Sequence, residues 1–265
     1  MIDAYLGRLG LPREEPSVDY LFALHRAHVS RVTYTNLQIM RGAPAGIEPR
    51  VSAREIIEGR GGYCFHLNGA FSWLLRELGF SVTLHRGYVM PRDATEGLLN
   101  HLVLLVHDLD GVWFVDGGLG DAIYEPLPLA VGTYEQGPFR YELTAARGRD
   151  GWRFEHDEMG SFGSMEFESA GATIADFADA HLRLSTSSES SFVNFVTAQR
   201  RLADRVETVR SCGLTVLDAA GKHKTSLETA SQWCETLVRL GLSAEGLDGL
   251  WPAERARYEA WLAKA

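Results

Sequence analysis

An α+β fold, helices first and an antiparallel sheet after them, is predicted for this 265-residue chain on three observations. Apolar residues recur at helical spacing from Ile2 to about Phe80. Short β-type runs separated by Gly, Asp and Pro turns then extend from Val82 to Glu168. Beyond them helix and strand signals mix, and the chain closes on two helices. The length allows one large core or two to three closely packed smaller ones. No internal repeat or low-complexity tract points to an array.

Each element has its own reason. "VDYLFALHRAHVSRV" carries apolar residues at helical spacing, with His25 and His28 read as ordinary polar positions on that helix. "SAREIIEG" opens with Ser52 and has Glu55 three positions on, the spacing of a capping box, so a helix is expected to start there. After Cys64 the residues Leu67, Ala70, Phe71, Leu74, Leu75 and Leu78 trace one buried helix face, and Gly79 supplies the stop. The runs "SVTLHRGYVM", "NHLVLLVH", "VWFVDGGLG", "PFRYELTA", "GWRFEHDE" and "SMEFES" read as a meander that curves into a small barrel. "TSSESS", Thr186 to Ser191, is a polar turn or cap cluster, and the two closing helices are expected to start at Ser226 and Pro252.

Composition excludes several classes. A net charge of −9 without a basic run argues against a general nucleic-acid binder, although an anionic cofactor can still occupy a locally positive pocket. No stretch reaches the roughly 18 apolar residues of a membrane span, and "MIDAYLGRLGLP" lacks the pattern of a signal peptide. Cytoplasmic residence, with neither membrane nor nucleic acid as partner, is the expectation. The three cysteines Cys64, Cys212 and Cys234 show no CxxC spacing, which disfavours a disulfide framework and a Cys-rich zinc site, and no metal is expected. Cys212 and Cys234 read as packing residues. No GxxxxGK[ST] loop is present to hold phosphates.

In "GRGGYCF", Cys64 falls in the first turn of its helix, where free backbone N–H groups and the positive end of the helix dipole favour a thiolate. Gly61 and Gly62 leave room for another segment or a ligand to approach the sulfur. Position alone leaves two readings open, nucleophile or buried small hydrophobe. A nucleophile needs a base and a group to orient it. In "NHLVLLVHDLDGVWFVD", a loop of Asp108 to Gly111 pairs His107 with Val112 and Val103 with Asp116, which sets His101 diagonally beside Asp116. A tight Asp110-Gly111 turn instead slides Asp116 opposite Leu105, roughly 13 Å from His101 at about 3.3 Å per residue. A Cys64-His101-Asp116 arrangement therefore requires the longer loop. His107 reads as a solvated strand end, and His181 and His223 have no identifiable partner.

These residues resemble the arylamine N-acetyltransferase family. "RGGYCF" with Asn68 four residues after Cys64 is similar to the family's nucleophile segment, and His101 and Asp116 follow in its triad order. "VTYTNLQIMRG" and "LSTSSESSFVNFVTAQR" extend the similarity over roughly residues 5 to 215. The resemblance implies a helical bundle (1–81) carrying the Cys, a β-barrel (82–184) carrying the His and Asp, and an α/β lid (185–265). It implies catalytic residues Cys64, His101 and Asp116, with a substrate pocket at Tyr34, Phe65 and Leu119. It further implies ping-pong transfer from acetyl-CoA, as acyl-donor co-substrate, to an arylamine, hydrazine or related amine.

The departures from the family pattern are local. His66 stands where the family has Glu. Thr33-Tyr34-Thr35-Asn36-Leu37 replaces its Pro-Phe-Glu-Asn-Leu, and Leu119 replaces an aromatic residue. Losing acids at 35 and 66 takes away partners of Arg60, so its charge network must be rebuilt. The changed pocket keeps two alternatives open: an amide synthase fed by an acyl carrier protein, and a Cys-His-Asp thiol hydrolase.

Overall fold

The computed structural model describes residues 1–92, 94 and 96–263. The helices α1 (Ile2–Leu9), α2 (Val18–Arg31), α3 (Leu37–Met40), α4 (Pro49–Ile57) and α5 (Cys64–Glu77) come first, with a two-residue strand β1 (Tyr34–Thr35) between α2 and α3. Helix α5 begins at Cys64 and ends where Gly79, at φ 98°, takes the left-handed conformation that terminates helices. Beyond its apolar face, α5 also buries His66, Asn68 and Ser72, so it runs through the bundle with partners on every side.

Two helix starts differ from expectation. α4 begins at Pro49, not Ser52, because proline at the first position is already fixed in helical φ; Ser52 lies buried inside the helix. The helix expected from Ser226 starts at Ala230, where Thr229 and Gln232 make a reciprocal capping box. Ser226 instead closes a strand.

The strands β2 (Ser81–Met90), β3 (His101–His107), β4 (Trp113–Val115), β5 (Leu127–Pro128), β6 (Gly132–Gln136), β7 (Phe139–Ala145), β8 (Gly151–Glu155) and β9 (Ser164–Ala172) form an antiparallel sheet in the order β5-β4-β3-β2-β9-β8-β7-β6. Its two edges are drawn together by Gln136, whose Oε1 accepts from Tyr124 N and Glu125 N and whose Nε2 donates to Glu125 O. The result is a nearly closed barrel around Phe114, Tyr141, Phe154 and Phe167, with Phe114 stacked on Phe167 at 5.3 Å.

Helix α6 (Ala178–Thr186) leads to a second sheet of β10 (Thr197–Arg201), β11 (Arg205–Arg210), β12 (Gly213–Asp218) and β13 (Gly221–Ser226), followed by α7 (Ala230–Arg239) and α8 (Trp251–Leu262). Strand β1 forms an edge of this sheet, in the order β1-β10-β11-β12-β13, and so stitches the N-terminal helices to the C-terminal part. The fold is the α+β arrangement of bundle, barrel and α/β lid. Among the described residues, no helix is long and apolar enough to cross a membrane.

The histidines of α2 are not polar surface positions. His25 and His28 are fully buried because α2 is covered on both flanks. His28 packs 4.5 Å from Phe71 and bonds Tyr5 Oη through Nε2 at 2.9 Å, while His25 Nδ1 donates to Tyr124 O. Burial pushes both imidazoles down, His28 to about 3. His181 also has a partner, Tyr63 Oη at 2.6 Å from its Nδ1. His107 is half-buried, with Thr83 Oγ1 2.7 Å from Nε2, and His223 lies 3.6 Å from Asp218.

Candidate active site

Cys64 is placed by the backbone that precedes it. Gly61 has φ 66°, and a Cβ there would meet Thr33 O at 2.5 Å, so only glycine lets the chain pass β1 so closely. Gly62 bridges to Tyr34 in parallel and accepts from Thr35 N at 2.8 Å. Arg60 fixes the same segment from the other side: Nε and Nη2 form a fork on the Glu55 carboxylate at 2.7 and 3.1 Å, with Glu58 also in contact. The acids absent at 35 and 66 are thus replaced from α4.

The hairpin adopts the longer loop. Leu104 pairs with Val115, Leu105 with Phe114 and Val106 with Trp113, and Asp108 (φ 64°), Asp110 (φ 53°) and Gly111 (φ 134°) turn the chain between the strands. This register sets His101 Nε2 2.7 Å from Asp116 Oδ2, with side chains only 2% and 0% exposed. The other Asp116 oxygen accepts from Asn68 Nδ2 at 2.8 Å and from Gly118 N at 2.9 Å. Asn68 also donates to Leu102 O and accepts from Gly117 N. Gly118 lies so near the start of α5 that a Cβ on it would meet Cys64 Cα at 2.9 Å.

With Nε2 engaged by Asp116, Cys64 is the other side chain whose charge and polarity act on the His101 ring. The sulfur lies 3.4 Å from Asn100 O, and Asn100 is itself held by Val89 through both its amide groups. Burial alone would depress the imidazole. The Asp116 carboxylate, by charge and hydrogen bond, and then Cys64 overcome that and hold His101 up at about 10. At neutral pH the proton belongs to the ring. A sulfur beside a buried imidazolium, with a carboxylate fixing the ring, can add to a carbonyl carbon.

The other sequence-derived residues are spread around this centre. Tyr34 is half-buried on β1, its hydroxyl pushed up by burial and then by the charge of Cys64. Phe65 is fully buried, edge-on to Tyr63 and 5.6 Å from Phe177, and Leu119 packs in the barrel core. His66 donates from Nε2 to Ala45 O, while its buried Nδ1 has no hydrogen-bond partner among the described residues. Burial takes its imidazole down to about 4, so a neutral ring occupies the position. Asn68 and Glu55 are the contributors whose roles the sequence did not disclose; the signal for Asn68 was its i+4 spacing from Cys64 on one helix face. Among the described residues, no group of three or more His, Cys, Asp or Glu is arranged to hold a metal ion.

The family model described as N-acetyltransferase matches residues 17–243. The chain belongs to that family, the arylamine N-acetyltransferases. It is 32% identical over 138 residues to the pineal gland isozyme of arylamine N-acetyltransferase from Gallus gallus, covering 49% of this chain and 48% of the relative. It is 36% identical over 150 residues to proansamycin X synthase of Amycolatopsis mediterranei, covering 54% of this chain and 57% of that one. The chain thus spans about half the length of these curated relatives. The solved structure of Mycobacterium marinum arylamine N-acetyltransferase superposes with a TM-score of 0.86 at 28% identity, covering 96% of this chain and 98% of that one. The same protein has been solved in complex with CoA.

Proposed function

We propose that this chain is an acyltransferase that moves an acetyl group from acetyl-CoA, through a thioester on Cys64, to the nitrogen of an arylamine, hydrazine or related amine. The observation that carries the reading is the buried line Cys64, His101, Asp116, in which the imidazole holds the proton beside the sulfur. The sulfur adds to the thioester carbonyl, the carbon–sulfur bond to CoA breaks, and the His101 proton leaves with the CoA thiol. The amine nitrogen then attacks the Cys64 thioester, the acyl carbon–sulfur bond breaks and returns its electron pair to Cys64, His101 takes the amine proton, and the amide departs. A weakly basic amine is neutral at pH 7 and keeps its lone pair free for this step.

In this reading 1–81 supplies the sulfur, 82–184 the base and the acid, and 185–265 covers the site, with Tyr34, Phe65 and Leu119 as the pocket and the cytoplasm as the compartment. The similarity to proansamycin X synthase, together with Leu119 in place of an aromatic residue, favours a second reading: an amide synthase that takes its acyl chain from a carrier protein. The test is consumption of acetyl-CoA with and without an aromatic amine. Slow turnover that the amine strongly accelerates is expected; fast turnover indifferent to amine would mean hydrolysis, and no turnover with acetyl-CoA but turnover with a carrier-bound acyl chain would mean the synthase.

A further inference from the structure

We propose that Asn100 is a positioning residue for the acyl transfer: its side-chain amide ties the residue to β2 and so holds its own carbonyl oxygen against the Cys64 sulfur. The inference rests on the acyl-transfer reading and deepens it, because it names a residue outside Cys64, His101 and Asp116 that sets where sulfur and imidazole stand.

Strand β2 outlasts its neighbour β3. The two pair from Ser81 with His107 to Gly87 with His101, while β2 runs on to Met90 and keeps pairing with β9 on its other side, Val89 with Met165 and Met90 with Ser164. Continued in register, the β2–β3 ladder would bring Leu99 opposite Val89. Leu99 has left that line, and its carbonyl accepts from Arg183 Nη2 on α6 at 2.6 Å. Asn100 provides the next rung from its side chain: Oδ1 accepts from Val89 N at 2.7 Å and Nδ2 donates to Val89 O at 2.8 Å. A primary amide carries an acceptor and donors side by side, so it satisfies both backbone groups of Val89 as a strand partner would. Asn100 N donates to Gly87 O at 3.2 Å, which pins the main chain as well.

The peptide that joins Asn100 to His101 therefore serves both reacting side chains. Its carbonyl oxygen lies 3.4 Å from Cys64 Sγ, and the residue it leads into carries the ring that meets Asp116 at 2.7 Å. Gly87, opposite His101, has no side chain to push this peptide away: a Cβ there would meet His101 Cβ at 3.1 Å and His101 O at 3.3 Å. Sulfur and imidazole thus take their relation from one peptide unit, and that unit takes its place from Asn100. Catalytic groups must be held within about 0.5 Å of their working geometry, and a displacement of about 1 Å can cost about 100-fold in rate. The role involves no contact with the acyl donor or the amine, so it bears on kcat and leaves KM alone.

The experiment compares Asn100→Gln with Asn100→Ala in the full chain. Glutamine keeps the amide but sets it one methylene, roughly 1 Å, further from the backbone, so Val89 stays bonded while the Asn100 carbonyl shifts. Asn100→Gln is expected to melt with the native protein, to keep the KM for an aromatic amine and to lose kcat by about 10- to 100-fold. Asn100→Ala, which frees Val89, should lose at least as much kcat and melt lower. Alkylation with iodoacetamide, mapped by peptide mass, gives a reading that a merely structural role would not move. In Asn100→Gln the rate at Cys64 should fall about tenfold, because the sulfur depends on the imidazole for its reactivity, while Cys212 and Cys234, which report any loosening of the fold, label as in the native chain. Native kcat in either variant, a raised KM at native kcat, a melting temperature that falls with kcat in Asn100→Gln, or Cys64 labelling that holds or rises there overturns the role. Alkylation needs no acyl donor, so the two readings fail separately: slowed Cys64 labelling in Asn100→Gln, with no acetyl group taken up by the native chain, sinks the proposed function alone, and acetylation of Cys64 at the native rate in Asn100→Gln sinks the role of Asn100 alone.

Discussion

Asn68 Nδ2 donates to Asp116 Oδ1 at 2.8 Å, so the helix that carries the cysteine also holds the carboxylate that orients the histidine. Asn68 stands one helical turn after Cys64, and its carbonyl oxygen accepts from Gly117 N, which ties down the loop beyond Asp116. One side chain thereby couples the bundle to the barrel. Replacing Asn68 with Ala takes this partner from three buried polar groups, Asp116 Oδ1, Leu102 O and Gly117 N, and the expected loss in kcat is roughly 10- to 100-fold at about 1.5–3 kcal/mol for a hydrogen bond to a charged group. Asn68→Asp, which sets a second carboxylate against Asp116, should lose more. Steady-state kinetics of the two variants, with melting curves to establish folding, check this order; equal activity in Asn68→Ala would contradict it.

Much of this geometry was legible in the sequence, for local reasons. Strict helical periodicity placed α5 and the first-turn position of Cys64, and the choice between two loop lengths after the apolar run "NHLVLLVH" left few ways for His101 and Asp116 to meet. Other features depend on contacts far apart in the chain. His25 and His28 look like the polar face of a helix until Phe71 and the Tyr124 loop cover them. Strand β1 has only two residues and is defined by its partner β10, so no periodicity could reveal it. β6, "GTYEQ", is too polar to stand out. The start of α4 was misread because a capping-box spacing at Ser52 competes with Pro49, and the proline prevailed.

The alkaline side of the stability profile should carry the mark of His101. Its folded-state value of about 10 lies above the unfolded value of about 6.5, so the native state keeps a proton that the unfolded chain has released. This contribution is fully present below about pH 6.5 and is lost as pH rises through about 10. Urea midpoints measured from pH 6 to 10 should fall, and Asp116→Asn, which removes the carboxylate that raises the ring, should flatten that slope.

On the acid side the sign reverses. His28, at about 3, and His66, at about 4, are buried neutral, so the unfolded state binds protons that the native state refuses. Their contribution is present above about pH 6.5 and is lost as pH falls from there toward 4 and 3. His66→Gln keeps a donor for Ala45 O without a titrating ring, and should make the melting temperature less sensitive between pH 6.5 and 4. An unchanged acid slope would mean that His66 is not held neutral.

The Arg60 fork predicts a smaller effect. Glu55 and Arg60 are 16% and 30% exposed, so solvent screens the pair in part. Glu55→Gln should lower stability by about 1 kcal/mol, because only the charge-assisted part of a partly screened bidentate contact is removed. Chemical denaturation reads this directly. Activity should fall as well, since the segment that Arg60 anchors leads straight into Cys64, and a variant that matches the native protein in both would remove the fork from this account.

The central claim is that Cys64 carries the acyl group. Intact-mass measurement after mixing the protein with acetyl-CoA should find a gain of one acetyl group, mapped to Cys64 by peptide analysis and absent in Cys64→Ala, and an arylamine should discharge it. No adduct, an adduct on Cys212 or Cys234, or one that no amine removes would contradict the account.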